Sequence, residues 1–145
     1  MAKFQFRLQN ILGVKEKLEE QKKMELSIAS QLLETEESRL RQLNNLKEKN
    51  DCLYRSEVSN KIKIKDIKDI GEKNKYYSNI IIEQNIVVEN ANNKVSLIRN
   101  ELRTALIERK MYEKLRESAY DEYYIEELKE EQKQLDEIVS YKYSR

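Results

Sequence analysis

The side chains of this sequence that are suited to catalysis are carboxylates and a single thiol. Glu126 and Glu130, like Glu127 and Glu131, stand four residues apart, which places each pair on one face of a helix. General acid–base catalysis needs a closed pocket that shifts a carboxyl pKa, and long helices offer none. The chain has no His and only Cys52, so an imidazole base, the usual zinc ligands and an intrachain disulfide are excluded. We expect no enzyme activity and no catalytic, cofactor or metal site.

The basic residues of the second half are interleaved with acids. They are Arg99, Arg103, Arg109, Lys110, Lys114 and Arg116, with Glu101, Glu108 and Glu113 between them. The formal net charge of the whole chain is only +1. A nucleic-acid surface needs an uninterrupted basic patch, so we expect no nucleic-acid partner.

The composition specifies the elements that must position any binding residue. The 145 residues include no Pro and only two Gly, so almost nothing interrupts a helix. Charged residues make up 38% and hydrophobic residues 39%, which suits a narrow apolar seam on a charged exterior. The apolar cluster Ile80–Val88 is interrupted by Glu83, Gln84 and Asn85 and is too short for a bilayer span. No secretory signal is visible, and we expect a cytoplasmic protein without membrane insertion.

Apolar residues follow a heptad pattern in both halves. In the second half the row steps by three and four through Ile67, Ile70, Asn74, Tyr77, Ile81, Gln84, Val88, Ala91, Val95, Ile98, Leu102 and Ala105, and more loosely to Tyr123. In the first half the row is Phe4, Leu8, Ile11, Leu18, Leu26, Ala29, Leu33, Leu40, Leu43, Leu46 and Leu53. The steps after Leu18 and Leu43 break the spacing, which predicts two discontinuities in the first helix.

These rows predict an all-α fold, an antiparallel two-helix coiled coil formed as one long αα-hairpin over residues 1–145. We expect helix one at about 3–57, the turn at about 58–65 near Asn60, and helix two at about 66–142. Residue i then lies opposite roughly residue 123 minus i, which places Leu26 near Ile98. The last residues of the longer second helix, from about 121 onward, would have no partner within the chain.

That overhang combines apolar and acidic residues. Residues 121–145 hold eight acidic and four basic side chains, and they include Tyr123, Tyr124, Leu128, Leu135 and Val139. An uncovered helix of this kind is a candidate docking element. Fraying or self-association of the tail is the alternative.

Three segments carry a family resemblance. They are the start FQFRLQNIL at 4–12, the run IKDIKDI at 64–70, and RKMYEKLR at 109–116 leading to EQKQLDEI at 131–138. Together they resemble the flagellar export protein FliJ family along essentially the whole chain. The resemblance implies a non-enzymatic component of the flagellar type III export apparatus, similar to the central stalk of rotary ATPases. It would be a monomer when free and peripheral to the membrane-embedded apparatus.

The resemblance also implies partners and contact residues. Family members insert in the export ATPase hexamer, promote its assembly and activity, contact the cytoplasmic domain of the export gate, and associate with export chaperones. The implied ATPase-ring contacts are Phe4, Arg7, Leu8, Ile11, Arg109, Lys110, Leu115, Tyr120, Tyr123 and Tyr124. The implied gate contacts are Leu43, Leu46, Asn50, Tyr77, Ile81, Gln84 and Val88. A dimerising coiled-coil scaffold and the equivalent stalk of a virulence secretion system are the alternatives.

Overall fold

The computed structural model describes residues 3–59 and 63–144, which form two long helices packed against each other. Helix α1 is Gln9–Ser59 and helix α2 is Ile64–Tyr143. The described residues include no strand. The predicted all-α class, with the C-terminal helix longer than the N-terminal one, is confirmed. The predicted reversal at Asn60 lies outside the described residues.

The chain divides into two compact units, and each helix contributes to both. The terminal unit consists of Met1–Lys22 and Leu102–Arg145. The central unit is Lys23–Glu101. No helix among the described residues is long and apolar enough to cross a membrane.

The sequence pattern predicts that helix one begins at about residue 3, but α1 begins at Gln9. Residues 3–6 are not helical, and the Gln9 amide donates to the Phe6 carbonyl at 3.1 Å, which closes a turn before the helix. The first turn of α1 has no acidic residue to complement the partial positive charge of the helix N-terminus. The non-helical segment lets the Phe4 ring pack against α2, and this contact takes the place of the missing helical turns.

The start of α2, unlike that of α1, has an acidic residue in its first turn. The Lys63 carbonyl accepts hydrogen bonds from the amides of Asp66 at 2.9 Å and Ile67 at 3.3 Å. Asp66 places a carboxylate in the first turn, where it complements the partial positive charge of the helix terminus. Local sequence therefore supports this helix start.

The core of the central unit confirms the predicted register. Ala29, Val95 and Ile98 are buried together, and Leu26 and Leu33 pack against them. The register pairs Leu26 with Ile98, and both belong to this cluster. All twelve predicted seam positions of α2, from Ile67 to Ala105, are buried or half-buried. The helical spacing of that half of the sequence was therefore sufficient to identify its buried face.

The predicted seam of α1 is partly wrong. Ile11, Leu46 and Leu53 are exposed, at 40%, 45% and 50%. Leu12, 1% exposed, is buried in place of Ile11. The buried or half-buried row instead steps by three and four without a break: Leu12, Lys15, Glu19 and Lys22 in the terminal unit, then Leu26, Ala29, Leu33, Glu36, Leu40, Leu43, Lys47 and Asn50 in the central unit.

The two expected discontinuities are therefore absent from the described part of α1. Charged and amide side chains occupy the seam positions where the apolar pattern breaks. Glu19 and Lys22 bridge the gap between Leu18 and Leu26, and Lys47 and Asn50 continue the row after Leu43. A row read from apolar residues alone skips these positions, because buried polar groups are tolerated only when other parts of the fold supply their partners.

Candidate partner-binding surfaces

Three rings form an aromatic cluster in the terminal unit: Phe4, Tyr120 and Tyr123. The Phe4 ring meets Tyr120 edge-on, with centroids 5.2 Å apart and an interplanar angle of 87°. It lies 5.5 Å from the Tyr123 ring, and the two tyrosine rings are 6.3 Å apart. These separations are in the range of favourable aromatic pairs. The predicted overhang is thus corrected at Tyr123, which the N-terminal segment covers in part.

The environment of Tyr123 shifts the pKa of its hydroxyl. Burial raises the pKa of the Tyr123 phenol above its ordinary value of 10.0, and the nearby Glu127 carboxylate raises that pKa further. The Tyr123 hydroxyl therefore stays protonated to a higher pH than that of a free tyrosine.

A groove runs beside the aromatic cluster. Its walls are the segment from Lys3 to Leu8 and the α2 residues Leu115, Ala119, Glu122, Tyr123 and Glu126. Of the predicted ring contacts, Phe4, Arg7, Leu8, Leu115 and Tyr123 line this groove. Tyr120 and Tyr124 lie on the same stretch of α2 and are half or more exposed. Five of the ten predicted ring-contact residues thus line one groove, and Ile11, Arg109 and Lys110 lie outside it.

Arg109, another predicted ring contact, is bound within the chain. Its guanidinium donates to the carboxylate of Glu19, which is 4% exposed, and to that of Glu113 at 2.7 Å. Lys15 donates to Glu108 at 2.8 Å across the same pair of helices. The pKa of Arg109 is raised by its bonds to Glu113 and Glu19, and the pKa of Lys15 is raised by its bond to Glu108. These ion pairs hold α1 to α2 in the terminal unit, whereas Lys110 is exposed.

The seven predicted gate contacts lie together in the central unit, but six of them are seam residues. Asn50 is buried and donates to the Ile70 carbonyl at 3.1 Å. Gln84 is buried and donates to the backbone carbonyl of Glu36 at 3.0 Å and to its carboxylate at 2.6 Å. Leu43, Tyr77, Ile81 and Val88 are half-buried, and only Leu46 is exposed. Most of this set holds the two helices together instead of facing a partner.

Most residues that flank the seam are more exposed than the seam residues, and the residues on the two sides of the seam differ in chemistry. With Leu26 and Ile81 as a positions of the heptad, antiparallel helices bring their g positions to one side of the seam and their e positions to the other. Within residues 26–50 of α1 and 72–98 of α2, the g positions are Leu32, Arg39, Leu46, Lys73, Ile80, Val87 and Lys94. Within the same ranges the e positions are Ser30, Glu37, Asn44, Ser78, Asn85 and Asn92.

We call the first of these the apolar side. Within these two ranges it holds four aliphatic residues, three basic residues and no acidic one, and the opposite side has no aliphatic residue. The flanking g positions of the central unit include the acidic residues Glu25, Asp66 and Glu101. Within residues 3–59 and 63–144, no carboxylate lies at ion-pair distance from Arg39, Lys73 or Lys94. Sequence reasoning missed this surface because the phase of α1 becomes visible only when its polar seam residues are counted.

The described residues form a two-helix coiled coil with a surface groove and exposed apolar residues. The model of the Flagellar FliJ protein family matches residues 4–145. The chain therefore belongs to the flagellar FliJ protein family, a non-catalytic component of the flagellar export apparatus. Searches of curated proteins and of solved structures gave no match.

Proposed function

We propose that this chain is the stalk-like subunit of the flagellar type III export apparatus, with its terminal unit inserted in the export ATPase hexamer. The observation that supports this most directly is the groove beside Phe4, Tyr120 and Tyr123, which is lined by five of the ten predicted ring contacts. Aromatic side chains at the centre of a contact surface are the usual anchors of protein interfaces. The protein works at the cytoplasmic side of the membrane-embedded apparatus and is a monomer when free.

The mechanism requires no chemistry from this chain. The terminal unit presents different side chains around its circumference, so it makes different contacts with each ATPase subunit. A ligand shifts a conformational equilibrium only by its differential affinity for the states involved. Unequal contacts thus favour assembly of the ring and stabilise different nucleotide states in different subunits, which couples hydrolysis to the chain.

The central unit contacts the cytoplasmic domain of the export gate through the apolar side. Leu32, Leu46 and Val87 are exposed and Ile80 is half-buried, so this side offers more aliphatic surface than the observed seam residues do. Leu46 is the predicted gate contact that lies on this side. Export chaperones are further partners of the same subunit.

The ring contact is tested with Leu8→Asp and Leu115→Asp in the full chain. Both side chains line the groove, and Leu115 is 49% exposed, so a carboxylate there opposes binding without removing a core residue. Co-purification with the export ATPase and stimulation of its hydrolysis should both decrease, with helicity unchanged. Ile86→Asp, a similar change at an exposed position of the central unit, is the matched control. Wild-type binding and stimulation in both groove variants would refute the ring assignment.

The gate contact is tested with Ile80→Asp against Asn85→Asp. The two changes introduce the same carboxylate on opposite sides of the same stretch of α2. Only Ile80→Asp should weaken binding to the purified cytoplasmic domain of the gate. Equal effects of the two variants would contradict the assignment of the apolar side.

The dimerising-scaffold alternative makes a different prediction. Sedimentation of the free chain should give a monomer for a ring subunit. A concentration-dependent dimer that persists in the presence of the ATPase would favour the scaffold.

A further inference from the structure

The first described residues of the terminal unit, residues 3–8, lie beside α2 without forming a helix. We call this segment the strap. The side chains of Phe4, Phe6 and Leu8 are half-buried, whereas the residues between them are exposed. This alternation is the period of an extended chain, in which every second side chain points to the same face. The strap therefore packs on the terminal unit through its apolar side chains.

Apolar contact is what holds the strap to α2. Its ring contacts run from Phe4 to Tyr120 and Tyr123. Within residues 3–59 and 63–144, no hydrogen bond and no ion pair joins the strap to α2. The hydrogen bond from the Gln9 amide to the Phe6 carbonyl shapes the end of the strap but does not anchor it to α2. A segment without a backbone hydrogen-bond ladder opens at a lower free-energy cost than the helices around it.

The same residues are also able to continue α1 as a helix. The strap contains neither Pro nor Gly, so nothing in it interrupts a helix. In the phase of the buried row that begins at Leu12, the next seam positions toward the N-terminus are Leu8 and Gln5. Phe6 follows Gln5 by one residue, so its side chain would be rotated by about 100° from that seam position.

Each conformation therefore has an advantage that the other lacks. The docked strap buries part of the Phe4 and Phe6 rings, which a helical strap would expose or turn aside. The helical strap gains backbone hydrogen bonds of the kind that extend an existing helix. Two arrangements with such opposing contributions form an element that exchanges between two states.

Charge favours the docked state. Lys3 and Arg7 on the strap line the same groove as Glu122 and Glu126 of α2. None of these four side chains forms an ion pair with another described residue. Their attraction therefore acts across solvent and decreases as ionic strength rises.

The groove depends on the docked strap. Residues 3–8 form one of its walls, and α2 forms the other. A strap that leaves α2 removes this wall and uncovers the Tyr123 ring that Phe4 covers in part. The surface assigned to the ATPase ring is thus complete in only one of the two states.

We propose that the strap exchanges between the docked state and an undocked helical state that continues α1, and that the export ATPase binds only the docked state. This inference rests on the proposed function and adds a means of regulating the ring-binding surface. The apparent dissociation constant then equals the intrinsic one divided by the docked fraction. A change that undocks the strap weakens ring binding without altering a ring-contact residue.

The experiment compares Phe6→Ala with Gln5→Ala in the full chain. Alanine favours a helix at both positions, but only Phe6→Ala removes a half-buried docking side chain. NMR contacts between the Phe4 and Tyr123 rings report docking, and Cα chemical shifts of residues 3–8 report helix. The wild type and Gln5→Ala should keep the ring contacts and non-helical shifts at residues 3–6. Phe6→Ala should lose the ring contacts and acquire helical shifts.

Salt supplies a second test on the free wild-type chain. Raising the ionic strength should decrease the docked fraction measured by NMR, because it screens the attraction of Lys3 and Arg7 to the α2 carboxylates. A docked fraction that does not change with salt would contradict the charge contribution to docking.

The effect on binding is measured with the purified export ATPase by fluorescence anisotropy, with the label on Cys52, which is exposed. Phe6 is not among the implied ring contacts, so its substitution acts through the strap. An about tenfold lower docked fraction should give an about tenfold higher apparent Kd. The decrease in affinity should thus equal the decrease in docked fraction.

The possible failures are distinguishable. If the wild-type chain does not bind the ATPase, the proposed function fails and the regulatory role of the strap fails with it. If the wild type binds, the inference alone is wrong in any of three cases: Phe6→Ala leaves the strap docked, undocks it without helical shifts, or undocks it at unchanged affinity. Weaker binding of Leu115→Asp would still support the proposed function in each of these cases.

Discussion

The antiparallel packing of the central unit predicts a specific coupling between Leu26 and Ile98. Ile98 is 6% exposed, and Leu26 packs against the cluster that contains it. Ile98→Ala removes about three methyl or methylene groups worth about 0.8 kcal/mol each, so unfolding should become easier by about 2–3 kcal/mol. Leu26 is half-buried, and Leu26→Ala should cost about half as much.

The double variant distinguishes contact from independent effects. Residues that touch show a coupling free energy of roughly 0.5 kcal/mol or more, whereas distant residues are additive within about 0.3–0.5 kcal/mol. Urea unfolding followed by circular dichroism, carried out on the wild type, each single variant and the double variant, gives this coupling free energy.

The control is the residue next to Ile98 in the sequence. Leu97 is 59% exposed, and Leu97→Ala should change the free energy of unfolding by less than about 0.5 kcal/mol. Equal destabilisation by Ile98→Ala and Leu97→Ala, or strict additivity of Leu26→Ala and Ile98→Ala, would refute the packing described for the central unit.

Three further predictions concern local features. Gly71 is inside α2 with open space around an added Cβ, so Gly71→Ala should stabilise the protein by about 0.5–1 kcal/mol in urea titrations, and a destabilisation would contradict the helical environment. Phe4→Ala should lower the pKa of Tyr123, measured by phenolate absorbance, because it removes part of the burial that raises that pKa. An unchanged titration would show that Phe4 does not cover Tyr123. The pKa of Lys15 is raised in the folded state, so its ion pair with Glu108 stabilises the protein fully below pH 10.5, and this contribution is lost as pH rises through the folded-state pKa. The stability of Lys15→Met should therefore decrease less at alkaline pH than that of the wild type. Equal decreases would contradict the ion pair.

The polar seam residues explain how an apolar row can be interrupted without breaking the packing. Glu36 and Gln84 satisfy each other across the two helices, as do Glu19 and Arg109. Such pairs add little net stability compared with apolar residues of similar size, but removing one partner leaves a buried polar group without its bond. Because each pair forms in only one alignment, these contacts favour the observed register over a shift by one heptad.

The candidate surfaces were predictable to different degrees. The resemblance supplied Phe4, Tyr120 and Tyr123 as one contact set, and in the structure their rings meet because the antiparallel register brings positions 4 and 120 to the same level. The predicted gate contacts lie in the central unit but mostly on the seam, because the resemblance supplied sequence positions without the direction in which each side chain faces around the helix. The role of each surface in partner binding stays a prediction.

The sequence by itself determined two long helices, the buried face of α2 and the length difference that leaves the tail exposed. These follow from local causes: no Pro, two Gly, and apolar residues repeating at helical spacing. Tertiary structure decided the seam of α1, the later start of that helix at Gln9 and the covering of Tyr123 by Phe4. The physical reason is that a charged residue is buried only where the facing helix provides its partner. Likewise, the non-helical segment with Phe4 is held in place because α2 provides a surface for its ring. Both causes lie in the second helix and cannot be read from the sequence of the first.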